Sequence, residues 1–242
     1  MKSVILPDDH TTAIELLFSN LFHALPQLFS EDRLKTVLHI GAHTGEEVPF
    51  YRSKGFTTIY LVEANPDLVV ELEKRFQNDP NIWVFHHAIS NISGPTEFTI
   101  HKTAKGSVES ASLLPLKRLG EIVPVFNSEC KVKVDAITLD ELVKKLSIQD
   151  SVDLLCLDIQ GAELMALTGG QELLKSIKAL ICEVNLIENY QGGALEKDIA
   201  DFLERRGFEQ YFTIYHELYD ANGRFPAWGE GLWVKSVELK RQ

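Results

Sequence analysis

The order of secondary-structure signals is the feature that most constrains how this chain can fold. From Thr36 onward, short runs of apolar and β-branched residues alternate with segments of helical periodicity. These signals predict a strand over Thr36–Ile40, a helix to about Lys54, a strand over Thr58–Val62, a helix from Pro66 to about Gln77 and a strand over Ile82–His86. A βαβαβ order requires right-handed crossovers, so it predicts a parallel sheet that binds ligands at the carboxyl ends of its strands.

The second half of the chain continues this alternation and then reverses direction. Val152–Leu157 is an apolar run of the kind found in buried central strands, and Ala179–Val184 follows as the next strand. A strand over Tyr211–Tyr215 follows, and Asn222-Gly223 is a type I′ turn signal between the β-rich runs Tyr215–Tyr219 and Gly231–Val237. We therefore expect an α/β, Rossmann-like sheet that is mostly parallel and ends in an antiparallel hairpin.

Two segments lie outside the alternation. Apolar residues at spacings of three and four between Ile14 and Leu25 predict an amphipathic helix within an N-terminal extension, residues 1–35, ahead of the main domain over 36–242. Because this apolar face has no partner in the repeating pattern, it should pack onto the domain or onto a second copy in a homodimer. The second segment, Lys102–Ser128, is long and polar, includes Ser107 and has no clear periodicity. It predicts a long loop that forms a lid over the carboxyl edge of the sheet.

Composition limits the class of protein. With 242 residues, 45% of them hydrophobic, the chain can bury one core without disulfides. Its net charge of -11 and its lack of a basic patch argue against nucleic acid or a membrane surface as partner. Cys130, Cys156 and Cys182 lack the paired spacing of zinc or disulfide sites, which predicts buried free thiols. Asp8 and Asp9 precede the N-terminal apolar stretch, a pattern that is typical of neither a signal peptide nor a membrane span. We therefore expect a cytoplasmic protein.

The first βα turn, Gly41-Ala-His-Thr-Gly45, carries the clearest ligand signal. Its glycines let the backbone approach a ligand, although the spacing matches neither a phosphate-binding loop nor the dinucleotide motif. Glu46 and Glu47, which we place in the first helical turn, would repel a pyrophosphate at that site. A ligand with cationic groups and no phosphate fits better, and S-adenosylmethionine is one. The glutamates are also explained as simple complements of the helix dipole.

Residues at the ends of the next two strands complete a nucleoside site. Glu63 ends the second strand, where a carboxylate can accept hydrogen bonds from both ribose hydroxyls of an adenosine ligand. An ordinary acid before a proline-initiated helix is the alternative. The third strand ends in His86-His87-Ala88-Ile89, which should line the adenine, although an ordinary surface or core residue is the favoured explanation for each histidine.

Asp158 ends the fourth strand, near the place where a transferred group should lie. Its carboxylate could hold a sulfonium, take part in removing a proton from an acceptor, or cap the next helix. Glu183 and Asn185 end the fifth strand and should face the same crevice. Together with Asp158 they could hold a divalent cation through oxygen ligands, but spacing in sequence does not establish such a site.

Ordered motifs between about Thr36 and Val184 resemble those of the FkbM-type S-adenosylmethionine-dependent methyltransferases. They are Gly41-Ala-His-Thr-Gly45, Val62-Glu63-Ala-Asn65-Pro66, Ala88-Ile-Ser90 with Gly94, Ser110-Ala-Ser112-Leu113, Thr138-Leu-Asp140-Glu-Leu142 and Asp153-Leu-Leu-Cys-Leu-Asp158-Ile-Gln-Gly161-Ala-Glu163. The resemblance implies a class I methyltransferase fold and methyl transfer to a hydroxyl of a sugar, polyketide or similar metabolite. The chain departs from the pattern at His39, where an acid is common, and at Gln160, where Glu is usual.

We accordingly expect an O-methyltransferase with Asp158 as its catalytic residue, and we assign no metal ligand. The residues assigned to S-adenosylmethionine are Gly41, Ala42, His43, Gly45, Glu63, Ala64, Asn65, Ala88, Ile89 and Asp158. Those assigned to a small-molecule or sugar acceptor are Ser110, Ser112 and Glu163. Two alternatives stay open. A Rossmann oxidoreductase would share the glycine turn but must bind pyrophosphate, and a non-catalytic nucleoside-binding module would need no reactive group at Asp158.

Overall fold

The structure is a computed structural model that describes residues 2–5, 15–17, 19–20, 34–103, 108–122, 126–221 and 223–239 of the chain. Its elements in chain order are β1 (Lys2–Ile5), β2 (Thr36–Ile40), α1 (Val48–Ser53), β3 (Thr58–Glu63), α2 (Pro66–Phe76), β4 (Ile82–His86), β5 (Ala88–Ile89), β6 (Gly94–Thr103), β7 (Val108–Ser112), α3 (Arg118–Ile122), β8 (Phe126–Ile137), α4 (Leu139–Leu146), β9 (Leu154–Leu157), α5 (Glu163–Thr168), α6 (Leu173–Ser176), β10 (Ala179–Asn185), α7 (Glu196–Glu204), β11 (Phe208–Asp220), β12 (Gly223–Lys235) and α8 (Ser236–Leu239).

The large sheet has eight strands in the order β1-β11-β12-β10-β9-β2-β3-β4. Strand β12 runs antiparallel to its neighbours β10 and β11, and the other pairs are parallel. The predicted mostly parallel sheet with an antiparallel C-terminal hairpin is therefore confirmed. The chain runs outward from β2 to β4 and returns to β9 on the other side of β2. This reversal is the switch point where open α/β sheets bind ligands.

Burial on both faces explains why the central strands could be predicted from the sequence. Every residue of β2, β9 and β10 is buried, since helices cover both sides of the sheet. Successive side chains enter different cores: Val37 and Leu154 belong to one apolar cluster, and Leu38 and Leu155 belong to another. The alternation fixes the register of the strands, and hence the residues that stand at their carboxyl ends.

A second sheet of four strands, in the order β5-β8-β6-β7, replaces the long loop expected over Lys102–Ser128. That segment contains the end of β6, all of β7, helix α3 and the start of β8. The prediction of a loop was wrong because β7 buries serines in place of apolar side chains: Ser110 is 4% exposed and Ser112 is 0% exposed. Phe98 and Val134 anchor the small sheet in an apolar cluster of its own. Ser107 lies outside the described residues.

The N-terminal region differs from the expectation in one respect. Strand β1, which was not predicted, pairs in parallel with β11 through Lys2–Ile5 and Phe212–Tyr215. Within the expected helix, residues 15–17 and 19–20 are helical, and Leu17 is 3% exposed in a core cluster. The other apolar positions named for this helix lie outside the described residues, as does Asn222 of the hairpin turn.

Two further expectations concern the cysteines and the membrane. Cys156 and Cys182 are buried free thiols, whereas Cys130 is exposed, contrary to the prediction. It lies in β8 between Glu129 and Lys131, which are also exposed, so this part of the small sheet faces solvent. None of the helices in the described ranges is long and apolar enough to cross a bilayer.

Candidate active site

A cavity of about 530 Å³ lies at the switch point, between the carboxyl ends of the large sheet and the small sheet that covers them. This volume is within the usual range for small-molecule sites, roughly 300–1,000 Å³. The described residues that line it are Ile40, Gly41, His43, Glu46, Glu47, Val62, Glu63, Ala64, Leu68, His87, Ala88, Ile89, Phe98, Ser110, Ala111, Leu113, Asp158, Ile159, Gln160 and Ala162.

The cavity brings together most of the residues that the sequence singled out. Those that line it are Gly41, His43, Glu63, Ala64, Ala88, Ile89, Ser110 and Asp158. The remaining candidates are buried beside it and do not appear among its lining residues: Ala42, Gly45, Asn65, Ser112 and Glu163. In the turns that border the cavity, Gly45 donates its backbone N–H to the carbonyl of Ala42 at 2.7 Å, and the Asn65 side chain accepts a hydrogen bond from the N–H of Asp67 at 3.1 Å.

The first βα turn packs so closely against the backbone of Asp158 that only glycine fits at the start of the turn. Gly41 has φ +83°, and a Cβ placed there would lie 1.7 Å from the carbonyl oxygen of Asp158. Helix α1 begins only at Val48, with Glu47 as its N-cap, because Pro49 suits the first turn of a helix. Placing Glu46 and Glu47 in that first turn was therefore wrong, yet both residues line the cavity. Their carboxylates give this wall of the cavity an acidic character.

Glu63 joins the two turns that border the cavity. Its Oε1 accepts hydrogen bonds from the backbone N–H groups of Ala64 and Asn65, each at 2.8 Å, and its Oε2 accepts one from His43 at 2.8 Å. Burial raises the pKa of Glu63, and the three backbone donors partly offset that rise. A carboxylate has about four acceptor positions, so Oε2 retains capacity for a ligand hydroxyl.

Asp158 belongs to a hydrogen-bonded network around Gln160. The Gln160 side-chain Nε2 donates to Asp158 Oδ1 and to Glu183 Oε2, both at 2.8 Å. The hydroxyl of Tyr190 donates to Gln160 Oε1, and it lies 2.9 Å from Ser110 Oγ on the small sheet. The network thus connects two carboxyl groups at the edge of the large sheet with β7, the strand of the small sheet that contains Ser110.

A second cavity, of about 50 Å³, lies beside the first and shares Glu47 and Asp158 with it. Glu183, Glu230 and Leu17 are among the residues that line it. Burial, followed by the nearby charges of Asp158, Glu163 and Glu230, raises the pKa of Glu183 well above its ordinary value. Asp158 therefore borders both a large cavity and a small acidic one.

Sequence reasoning missed two residues of this region. Tyr190 carried no signal because its partners Ser110 and Gln160 are 80 and 30 positions away in the chain. Tyr51 lies in α1, and its hydroxyl is 3.0 Å from Nδ1 of His39, the residue that departs from the family pattern. A polar side chain in an otherwise apolar strand was the only sequence signal for this buried pair.

Glu163 stabilises the turn after β9 and lines neither cavity. It is 0% exposed, and its Oε1 accepts hydrogen bonds from the N–H groups of Ile159 and Gly161 at 3.0 and 3.2 Å. Burial first, and also the charge of Asp158, raises the pKa of Glu163 to about 7. Among the described residues, no group of three or more His, Cys, Asp or Glu side chains is arranged to hold a metal ion.

The raised pKa of Glu163 predicts that the thermal stability of the protein falls as the pH rises from about 4.5 to about 7. The folded-state pKa of about 7 exceeds the ordinary value of 4.5, so protonation stabilises the folded state; this contribution is fully present below pH 4.5 and lost as the pH rises through 7. Glu163→Gln should reduce the fall in Tm without removing it, because the pKa of Glu183 is shifted in the same direction. Exposed Glu209→Gln is the control. A Glu163→Gln variant with the same pH dependence as the control would contradict the assignment.

Comparisons with known proteins give one family match and several similar structures. Residues 39–209 match the family described as the methyltransferase FkbM domain. Solved structures that resemble the chain include an FkbM methyltransferase from Methylobacillus flagellatus, with 13% identity, 92% of this chain and 54% of that chain covered, and a TM-score of 0.47. An rRNA methylase from Streptococcus thermophilus shows 10% identity, 92% and 96% coverage and a TM-score of 0.49. A precorrin-6y C5,15-methyltransferase from Geobacter metallireducens shows 12% identity, 91% and 88% coverage and a TM-score of 0.44. None of the curated proteins matches the sequence.

Proposed function

Because this chain belongs to the FkbM methyltransferase family, we propose that it transfers the methyl group of S-adenosylmethionine to a hydroxyl of a small metabolite or sugar. Methyltransferases of this kind generally use S-adenosylmethionine as the methyl donor. The observation that carries it is the cavity at the switch point, which places Gly41, Glu63 and Asp158 around one space.

The residues present fit S-adenosylmethionine by shape and by charge. The absence of a side chain at Gly41 keeps the turn close to the end of β9, and Oε2 of Glu63 can accept a ribose hydroxyl. Ala88 and Ile89 offer an apolar wall for the adenine. The acidic wall formed by Glu46 and Glu47 suits the cationic groups of this ligand and opposes a pyrophosphate. That opposition weakens the case for a Rossmann oxidoreductase.

Asp158 is our candidate for the residue that takes the proton of the acceptor. When bound, S-adenosylmethionine supplies an electrophilic methyl group on a sulfonium centre. The acceptor oxygen would form a bond to that methyl carbon as the carbon–sulfur bond breaks and S-adenosylhomocysteine leaves as a thioether, and the hydroxyl proton would pass to a base. Gln160 donates a hydrogen bond to Oδ1 of Asp158, and we assign the proton of the acceptor to the other carboxylate oxygen, Oδ2. Most of the rate enhancement then comes from orientation of the two reactants, with proton removal adding a further factor.

A small hydroxylated acceptor fits this site better than a polyanion. Glu46, Glu47 and Asp158 line the large cavity, and Glu183 and Glu230 line the small one. With a net charge of -11, the chain would repel a phosphate backbone at distance as well as at the site. Ser110, by contrast, presents a hydroxyl at the cavity wall, and hydroxyls of a sugar or polyol can bond to it.

The proposal is tested by incubating the purified protein with S-adenosylmethionine and a panel of sugars, polyols and hydroxylated metabolites. Formation of S-adenosylhomocysteine that depends on one of these acceptors, with a new O-methyl ether detected by mass spectrometry, is the expected result. Total RNA serves as the comparison acceptor and should give no product. Tight binding of S-adenosylhomocysteine without transfer to any acceptor would instead favour a nucleoside-binding module.

A further inference from the structure

We propose that Gln160 is a positioning residue with two separable roles. Its amide nitrogen orients the carboxyl groups of Asp158 and Glu183, and its amide oxygen holds strand β7 of the small sheet in place through Tyr190. The first role concerns the chemistry and rests on the proposed methyl transfer. The second concerns the closure of the cavity and can be measured without any acceptor.

The backbone of Gln160 is held in a conformation that residues with a side chain rarely adopt. Its φ is +57°, in the left-handed region where glycine is favoured. Its carbonyl oxygen accepts a hydrogen bond from Ser112 Oγ at 2.7 Å, and the following Gly161 has φ +95°. A Cβ at Gly161 would lie 2.7 Å from the ring of Tyr190. The turn therefore packs directly against Tyr190 and presents the Gln160 side chain to its partners.

The amide nitrogen of Gln160 acts on two carboxylates at once. Nε2 has two hydrogens, and its two acceptors are Asp158 Oδ1 and Glu183 Oε2. Neither carboxylate forms a salt bridge with Lys or Arg within the described part of the chain. The neutral amide of Gln160 donates to both carboxyl groups, whereas Asn185 Nδ2 contacts Glu183 at 3.5 Å. A carboxylate at position 160 could not donate to either of them.

The amide oxygen of Gln160 serves the second role. It accepts the hydrogen bond from Tyr190, whose side chain is 2% exposed, and the same hydroxyl contacts Ser110 of β7. Ser110 and its neighbour Ala111 form part of the cavity wall. The position of β7 over the cavity therefore depends on Gln160, the residue that also orients the two carboxyl groups.

Two single substitutions should separate the roles. Gln160→Glu keeps an oxygen for Tyr190 and removes the donor, so kcat should fall about 10- to 100-fold, the range for losing hydrogen bonds to charged groups. Acceptor KM and the hydrogen exchange of residues 108–112 should stay within about twofold of wild type. Tyr190→Phe should do the opposite: exchange over residues 108–112 should rise about 5- to 10-fold, as expected for the loss of one hydrogen bond, and KM should rise with little change in kcat.

Matched controls use the same chemical changes at distant positions. Gln171→Glu alters a glutamine bonded to Arg206, and Tyr215→Phe removes a hydroxyl bonded to Glu196. Neither should change exchange over residues 108–112 or kcat. If both Gln160→Glu and Tyr190→Phe changed both measurements in parallel, the two roles would not be separable and the inference would be wrong. A wild-type protein that binds S-adenosylhomocysteine but methylates nothing would refute the proposed function, whereas unchanged exchange in Tyr190→Phe would refute this inference.

Discussion

Replacing Asp158 with Asn is expected to lower kcat for methyl transfer by about 100- to 10,000-fold, the usual contribution of a general base. Asn keeps the size of the side chain and the oxygen that accepts the hydrogen bond from Gln160, which is 2.8 Å long in the wild type. It cannot take up the proton of the acceptor. The dissociation constant of S-adenosylhomocysteine should change by less than about threefold, because an interaction made only in the transition state affects kcat.

Steady-state kinetics with the acceptor found in the panel, together with titration calorimetry, measures both quantities. Asp150→Asn, at an exposed position after α4, is the matched control. An unchanged kcat would reduce Asp158 to a structural role at the end of β9. A loss confined to ligand affinity would assign Asp158 to cofactor binding. Activity that disappears with a chelator and returns with magnesium would support a cation held by Asp158, Glu183 and Asn185.

The fold was predictable wherever strands are buried on both faces. Strand β2 has the predicted bounds, Thr36–Ile40, and β10, predicted over Ala179–Val184, spans Ala179–Asn185; every residue of both strands is buried. Both are runs of mainly apolar residues, as expected for strands that are covered on both faces. The small sheet was not predicted in full because β7, Val108–Ser112, contains serines whose burial depends on partners from distant segments. Strand β1 was missed for the same reason, since only its pairing with β11 makes a strand of it.

The site was predictable to the extent that it consists of strand ends. Glu63 and Asp158 follow buried strands, and parallel strands bring their carboxyl ends to one edge. Side-chain direction was less predictable. Ser110 and Ser112 share one face of β7, yet Ser110 lines the cavity while Ser112 bonds to the backbone of Gln160. The network around Tyr190 joins residues far apart in the chain, and local sequence patterns carry no information about such contacts.

Replacing Glu63 with Ala is expected to weaken S-adenosylhomocysteine binding by roughly 1.5–3 kcal/mol, or about 10- to 150-fold in the dissociation constant. The carboxylate accepts three backbone hydrogen bonds, from His43, Ala64 and Asn65, and it has capacity for one ligand hydroxyl. Alanine therefore removes the proposed ribose contact and also releases two turns of the cavity wall. Circular dichroism and the Tm must show that the variant remains folded before the affinity is interpreted.

The ribose contact itself can be separated from the effect on the turns by a cycle that changes both the protein and the ligand. Calorimetry is performed with S-adenosylhomocysteine and with its 2′-deoxy and 3′-deoxy analogues, on wild type and on Glu63→Ala. If Glu63 binds a ribose hydroxyl, wild type should lose about 10-fold or more in affinity for one deoxy analogue, whereas the variant should bind that analogue and the parent ligand almost equally. The coupling free energy of the cycle excludes the loosened turns, because they affect both ligands alike. An additive cycle would mean that Glu63 only shapes the turns and that another group holds the ribose.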